Sequence, residues 1–158
     1  MSVLVYTENW DGKFKKLSFE LVSYATGVAK MLSTTVTAVS IGKVNADELK
    51  KPGNYGANKI ISVDNDQLIA LDSQVYASVL SEISRKENAS VIVLANNNAG
   101  KAIAPRLSVK LKAGVGSGVS KLPLDLDPFT VYKRTYSGNA FAHVVIKSDV
   151  KTIFPVCF

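Results

Sequence analysis

The chain has one cysteine, Cys157, and one histidine, His143, in 158 residues. No internal disulfide can form, and a zinc site, which draws on several thiolates and imidazoles, is not expected. Long apolar runs are missing as well. None approaches the ~18 residues a membrane-crossing helix needs, so no membrane insertion is expected. The opening stretch MSVLVYTENW lacks the architecture of a signal peptide and reads as a strand interrupted by charge and asparagine. Cytoplasmic residence, or the mitochondrial matrix in a eukaryote, is the natural expectation. Acid is scarcer than base, with 13 Asp and Glu against 19 Lys and Arg and a net charge of +6. Such a balance invites a nucleic-acid partner. The basic residues, however, are scattered from Lys13 to Lys151 without a long run. Only Tyr132-Lys133-Arg134-Thr135-Tyr136 interleaves them with aromatics, so no nucleic-acid binding is expected. A catalytic constellation is also lacking. His143 lies in the alternating run Ala140 to Ile146 with no Ser, Cys or Asp arrangement around it, and reads as a strand-surface or satisfied core histidine. Cys157 has no visible activation.

What is present is enough for one proper core: 47% hydrophobic and 20% charged residues in a single domain over 1–158. The central stretch is SVIVLANNNAGKAIAPRLSVKLK, Ser90 to Lys112. Val91 to Ala95 is a short β-branched run of the kind buried on both faces of a sheet. Asn96 to Gly100 is a polar turn. Ile103, Leu107 and Leu111 then recur at helical spacing, with Lys101, Arg106 and Lys110 elsewhere on the wheel. Pro105, which has no N–H, belongs in this helix's first turn or kinks it, the first reading being preferred.

Other segments repeat the strand–helix alternation. Ser2 to Thr7 is a first strand and Glu8 to Gly12 a turn ending in Asp-Gly. Leu17, Leu21, Val28 and Leu32 mark a first helix, capped by Ser18 and stapled by Leu17 against Val22. Gly27 inside it is expected to allow close packing on the sheet. Thr34 to Ile41 and Lys59 to Val63 are strands two and three, with a short helix over Asn45 to Lys51 between them. Asp72 or Ser73 caps a third helix that buries Val75, Val79, Leu80 and Ile83 and carries a Glu82–Lys86 pair outside. After Ala113 the pattern turns to strands: a Gly-rich one over Gly114 to Val119, then Thr130 to Tyr136 and Ala140 to Lys147 joined at Ser137-Gly138-Asn139, and a last strand from Lys151. The expected fold is α/β and three-layered. Its mostly parallel sheet has core order 3-2-1-4-5 and an antiparallel C-terminal edge.

Two glycine patterns resemble nucleotide loops and fail as such. Asn98-Ala99-Gly100-Lys101-Ala102 lacks both the Gly five residues before Gly100 and the Ser or Thr after Lys101 that a phosphate-binding loop requires. A capped helix start remains, which could still accept an anion. Gly114, Gly116 and Gly118 give GxGxG with no following helix. They are expected to let another backbone approach or to let the strand bend.

Four stretches taken together resemble one family. They are SVLVYTENWDGKFKKLSFELVSYA at the start, NAGKAIAPRLSVKLKAGVGSGVSKL in the middle, KRTYSGNAFAHV near the end, and KTIFPV. In that order they resemble the N-terminal domain of electron transfer flavoprotein α subunits, across essentially the whole chain. The resemblance implies an adenine-nucleotide-hydrolase-like α/β scaffold that docks on a β subunit and supports a mobile FAD domain lying C-terminal to it in the family. It implies an electron carrier subunit, not an enzyme. FAD in the full protein would pass electrons from flavin dehydrogenases to the respiratory chain, and FAD is not expected on this chain alone. Family members usually carry an acid where this chain has Gly118. The helix holding Lys101, Arg106, Lys110 and Lys112 contains no acid from Ala99 onward and suits an acidic partner. Arg106, Lys110, Arg134, Tyr136 and Asn139 are the candidate contacts to the β subunit or the FAD domain. The alternative is a stand-alone ATP- or AMP-binding module of the stress-protein kind.

Overall fold

A computed structural model describes residues 1–68 and 71–156; Cys157 lies outside the described residues. In chain order, β1 (Ser2–Tyr6) leads to a small hairpin of β2 (Asn9–Trp10) and β3 (Lys13–Phe14), then α1 (Lys16–Met31) and β4 (Thr35–Ile41). Next come α2 (Ala46–Lys50), β5 (Lys59–Val63), α3 (Ser73–Lys86), β6 (Ala89–Val93) and α4 (Asn98–Leu111). The remainder is β7 (Gly114–Val119), β8 (Asp125–Leu126), β9 (Phe129–Thr135), β10 (Ala140–Val145) and β11 (Lys151–Pro155).

The strands of the main sheet run β10-β9-β7-β11-β6-β1-β4-β5, with β8 on β9. From β5 to β7 all pairings are parallel, and the β9–β10 hairpin adds an antiparallel edge. Strand alternation sends side chains to two separate cores. Val3, Val5, Val36, Ala38, Val91 and Val93 meet Leu21, Val22, Ala25 and Val28 of α1. Leu4, Val39, Ile92 and Leu94 meet Ala77 and Leu80 of α3 and Ile103, Ala104 and Leu107 of α4. The result is a helix layer on each face of the sheet.

The expected order 3-2-1-4 holds, but the Gly-rich strand does not follow directly. β11 lies between β6 and β7. The physical reason is burial. Thr152, Ile153 and Phe154 are buried, as a strand covered on both faces must be, whereas four of the six residues of Gly-rich β7 face outward or are only partly covered. Gly114 and Gly116 make room for side chains, not backbone: a Cβ at 114 would meet Ile146 at 2.5 Å, and one at 116 would meet Ile146 and Val131 at 3.2 Å. Gly118, with φ +68°, does bend the strand, beside a register shift between Phe154 and Pro155.

Several local expectations are corrected. α1 starts at Lys16 with Lys15 as its N-cap, so Leu17 lies within the first turn and cannot act as the staple. Ser18 is buried and donates to the Glu8 carbonyl at 2.8 Å, which takes its hydroxyl away from capping. Gly27 makes room for Leu122, 2.8 Å from an added Cβ, not for the sheet. Asp72 is the cap of α3, accepting from Gln74 and Val75 N–H. Val75 is exposed and Tyr76 buried in its stead, because the Tyr76 hydroxyl finds the Leu68 carbonyl at 2.6 Å. Glu82 and Lys86 form no ion pair among the described residues; Glu87 instead pairs with Lys59 at 2.6 Å. Pro105 sits in the body of α4, on its exposed side.

Candidate functional site

In an open parallel sheet the natural crevice opens at the carboxyl ends of the strands where the winding reverses. Here the chain leaves β1 for β4 and β5 on one side and returns to β6 on the other, so the reversal falls beside β1. A cavity of about 760 Å³ opens at that end of β1 and β4, within the roughly 300–1,000 Å³ range of small-molecule sites.

Its floor begins with Tyr6, the last residue of β1, whose ring meets that of Tyr76 edge-on at 6.2 Å. Tyr6 is only 4% exposed. Burial, with Tyr76 and Glu8 adding to it, pushes the phenol well above its usual range, so it stays a neutral donor. Tyr76 is raised by burial too. Two residues on, Glu8 is buried yet fully engaged. Asn97 Nδ2 donates to one carboxylate oxygen at 2.7 Å and Lys15 Nζ to the other at 2.9 Å. Asn9 then ties the strand ends together, donating to the Ile41 carbonyl at 2.8 Å. The β2–β3 hairpin turns at Asp11 and Gly12, both with positive φ, as a tight Asp-Gly turn demands. That turn carries Trp10, 77% exposed, to the lip of the crevice.

The start of α4 closes the far wall. Asn97 caps it, its Oδ1 accepting the Gly100 N–H at 2.9 Å. Gly100 is required there because an added Cβ would lie 1.9 Å from the Ala95 carbonyl oxygen. The capping amide thus holds a donor of the helix start on one side and the Glu8 carboxylate on the other. A pyrophosphate at this helix start would meet a buried carboxylate and a donor already in use. At this helix start the residues present do not suit the pyrophosphate of FAD.

The candidate contact residues fall into two groups on different elements. Arg106 and Lys110 are exposed on α4; Arg106 donates to the Ala102 carbonyl and the Lys110 carbonyl accepts from Arg85. Arg134, Tyr136 and Asn139 lie at the β9–β10 turn, where Tyr136, Ser137 and Gly138 all have positive φ. Beside that turn, one face of the hairpin is aromatic. Tyr132 stacks on Phe141 at 4.9 Å and lies 5.7 Å from His143, which is exposed; Lys121 and Arg134 sit over the Tyr132 and Phe141 rings. Sequence reasoning singled out neither the Tyr6–Glu8–Asn97 cluster nor Trp10. The available signal was an acid placed immediately past the end of an apolar strand, at the first strand's carboxyl end.

Comparison with known proteins agrees with this architecture. The electron transfer flavoprotein domain matches residues 3–154. The electron transfer flavoprotein subunit alpha of Clostridium acetobutylicum is 25% identical over 161 residues, covering 99% of this chain and 48% of that protein. Its counterpart from Megasphaera elsdenii is 28% identical over 145 residues, covering 90% and 43%. The acryloyl-CoA reductase electron transfer subunit beta of Anaerotignum propionicum is 27% identical over 135 residues, covering 85% and 37%. The chain spans less than half the length of each of these relatives. With a domain match across nearly all of its residues, the chain belongs to the electron transfer flavoprotein family.

Proposed function

We propose that these residues form the scaffold and subunit-contact domain of an α-type electron transfer flavoprotein subunit. The observation that carries this reading is the domain match from residue 3 to residue 154, together with similarity to relatives named as electron transfer subunits. In this reading the domain docks on a β-type subunit, and FAD, held outside these residues, accepts electrons from flavin dehydrogenases. Two surfaces suit docking: the acid-free outer face of α4, with Arg106 and Lys110, and the aromatic face of the β9–β10 hairpin leading to Arg134, Tyr136 and Asn139. Exposed aromatic and arginine side chains are the residue types that anchor protein interfaces.

The stand-alone ATP or AMP module is the weaker reading. Phosphates at the start of α4 would have to displace the Asn97 cap and face the Glu8 carboxylate. Co-expression of the chain with the β-type subunit of the same genome tests the proposal. A stable complex that survives size-exclusion chromatography is the expected result. A chain that stays monomeric beside a folded β-type subunit would sink it.

A further inference from the structure

The two outer strands of the sheet are guarded differently. β5 is five residues long and opens on exposed Lys59, the kind of charge that keeps an edge from pairing with foreign strands. At the opposite edge, β10 reads Ala140-Phe141-Ala142-His143-Val144-Val145, with no lysine, proline or acid. Its pairing with β9 runs its full length without a bulge, and no strand lies beyond it among the described residues. The ladder fixes which backbone groups stand open. Ile146 N–H donates to the Phe129 carbonyl at 2.8 Å, next to the register pair of Val145 with Thr130. By antiparallel alternation, Ala140, Ala142 and Val144 turn their N–H and C=O groups to β9, and Phe141, His143 and Val145 turn theirs outward. Phe141 is 55% and Val145 44% exposed on one face of the strand, while Val144 packs on the α1 core from the other. An added strand would cover the first face and extend the second.

Charge narrows the choice of strand. From Phe129 to Ser148 the chain has no acid. Arg134, in register with Phe141, stands at one end of the edge, and exposed Lys147 lies just past the other. A second copy of β10 fits poorly. Laid antiparallel about His143, its Lys147 would face Asn139, beside the Arg134 guanidinium that lies against Gly138. Like charges would meet at both ends.

We propose that the outer edge of β10 is a strand-addition site for an extended segment of another protein, apolar in its middle and acidic at its ends. Backbone pairing supplies the affinity of such a contact, and the two terminal bases supply its selectivity. This inference stands apart from the subunit reading, since the occupant is defined by its chemistry, and either can fail without the other.

The test titrates the full chain with a labelled eight-residue peptide of alternating valine and threonine carrying a glutamate at each end. Fluorescence anisotropy gives the affinity, and amide hydrogen exchange locates the contact. Saturable binding is expected, with new protection at the Phe141, His143 and Val145 amides. The same peptide ended by lysines should bind at least ~5-fold more weakly, and a fully N-methylated one not at all. His143→Pro removes an outward N–H without touching the β9 ladder, and should weaken binding about 5–10-fold, the scale of one lost hydrogen bond. Should that variant fail to fold, the protection pattern of the natural chain decides. Absence of saturable binding, protection away from β10, or equal affinity for the lysine-ended peptide would each overturn the inference. So would unchanged affinity in a His143→Pro chain with native circular dichroism. A natural chain that sediments as a dimer, and a His143→Pro chain that does not, would give the edge to a second copy instead.

Discussion

Gly100 shows how one missing side chain positions an element. Its Cα lies so near the Ala95 carbonyl that a methyl group would sit 1.9 Å from the oxygen. Relief would require moving backbone, not rotating a side chain, which puts the change among severe overpacking substitutions. Gly100→Ala should therefore cost at least about 3 kcal/mol, measured as a fall in urea stability. A loss under about 1 kcal/mol would mean that the helix start slides freely on β6. Tyr6 supplies a different residue-scale prediction. Its folded-state phenol is held above the unfolded value of about 10, chiefly by burial. Above that pH the unfolded chain releases protons that the folded chain retains, so stability is complete below about pH 10 and declines as pH rises further. Guanidinium unfolding midpoints should fall across that alkaline range, and Tyr6→Phe should flatten much of the decline. A midpoint indifferent to alkali would remove the claim. Neither feature could be read from residue identities alone. Gly100 looked like part of a failed phosphate loop, and Tyr6 like any strand residue, because both roles depend on what another segment brings to the site.

At the scale of elements, helix α4 is where sequence and structure agree most and where one reading fails. Its apolar stripe, its cap region and its exposed basic residues were legible from periodicity. Pro105 was not placed correctly, because an exposed proline within a helix leaves that periodicity untouched. The outer face is also the place to test docking. If Arg106 and Lys110 meet an acidic surface on a β-type subunit, replacing both with Glu should slow association, with little effect on folding because both are exposed. The defect should shrink as salt rises past the range where the Debye length is about 8–10 Å. An association rate equal to wild type at low salt would return that face to solvent. The β9–β10 hairpin was legible as a hairpin because Ser137-Gly138-Asn139 forces a turn. Its aromatic face was not, since only cross-strand register brings Tyr132 beside Phe141 and His143.

For the molecule as a whole, the flavin provides the sharpest expectation. The crevice at the end of β1 has its helix start occupied by Asn97 and Glu8, which leaves no cradle there for a pyrophosphate. The purified chain should be colourless, and a yellow preparation with a flavin absorbance band would contradict that. The class of the fold was legible because alternating strands and helices leave few topologies. The position of β11 was not, since nothing local in Lys151 to Pro155 says which strands it will separate. That position has a consequence for how the protein is made. Strands β5, β4, β1 and β6 form one block, and β7, β8, β9 and β10 form another; in the sheet ladder of the described residues, only β11 joins them. A ribosome must therefore deliver the last strand before the two blocks can share a hydrogen-bonded sheet. Until then the β6 and β7 edges stand open in the nascent chain, the kind of unpaired edge that recruits other chains. The final strand acts as a late keystone, and the interval before its arrival is when this domain is most exposed to misassembly.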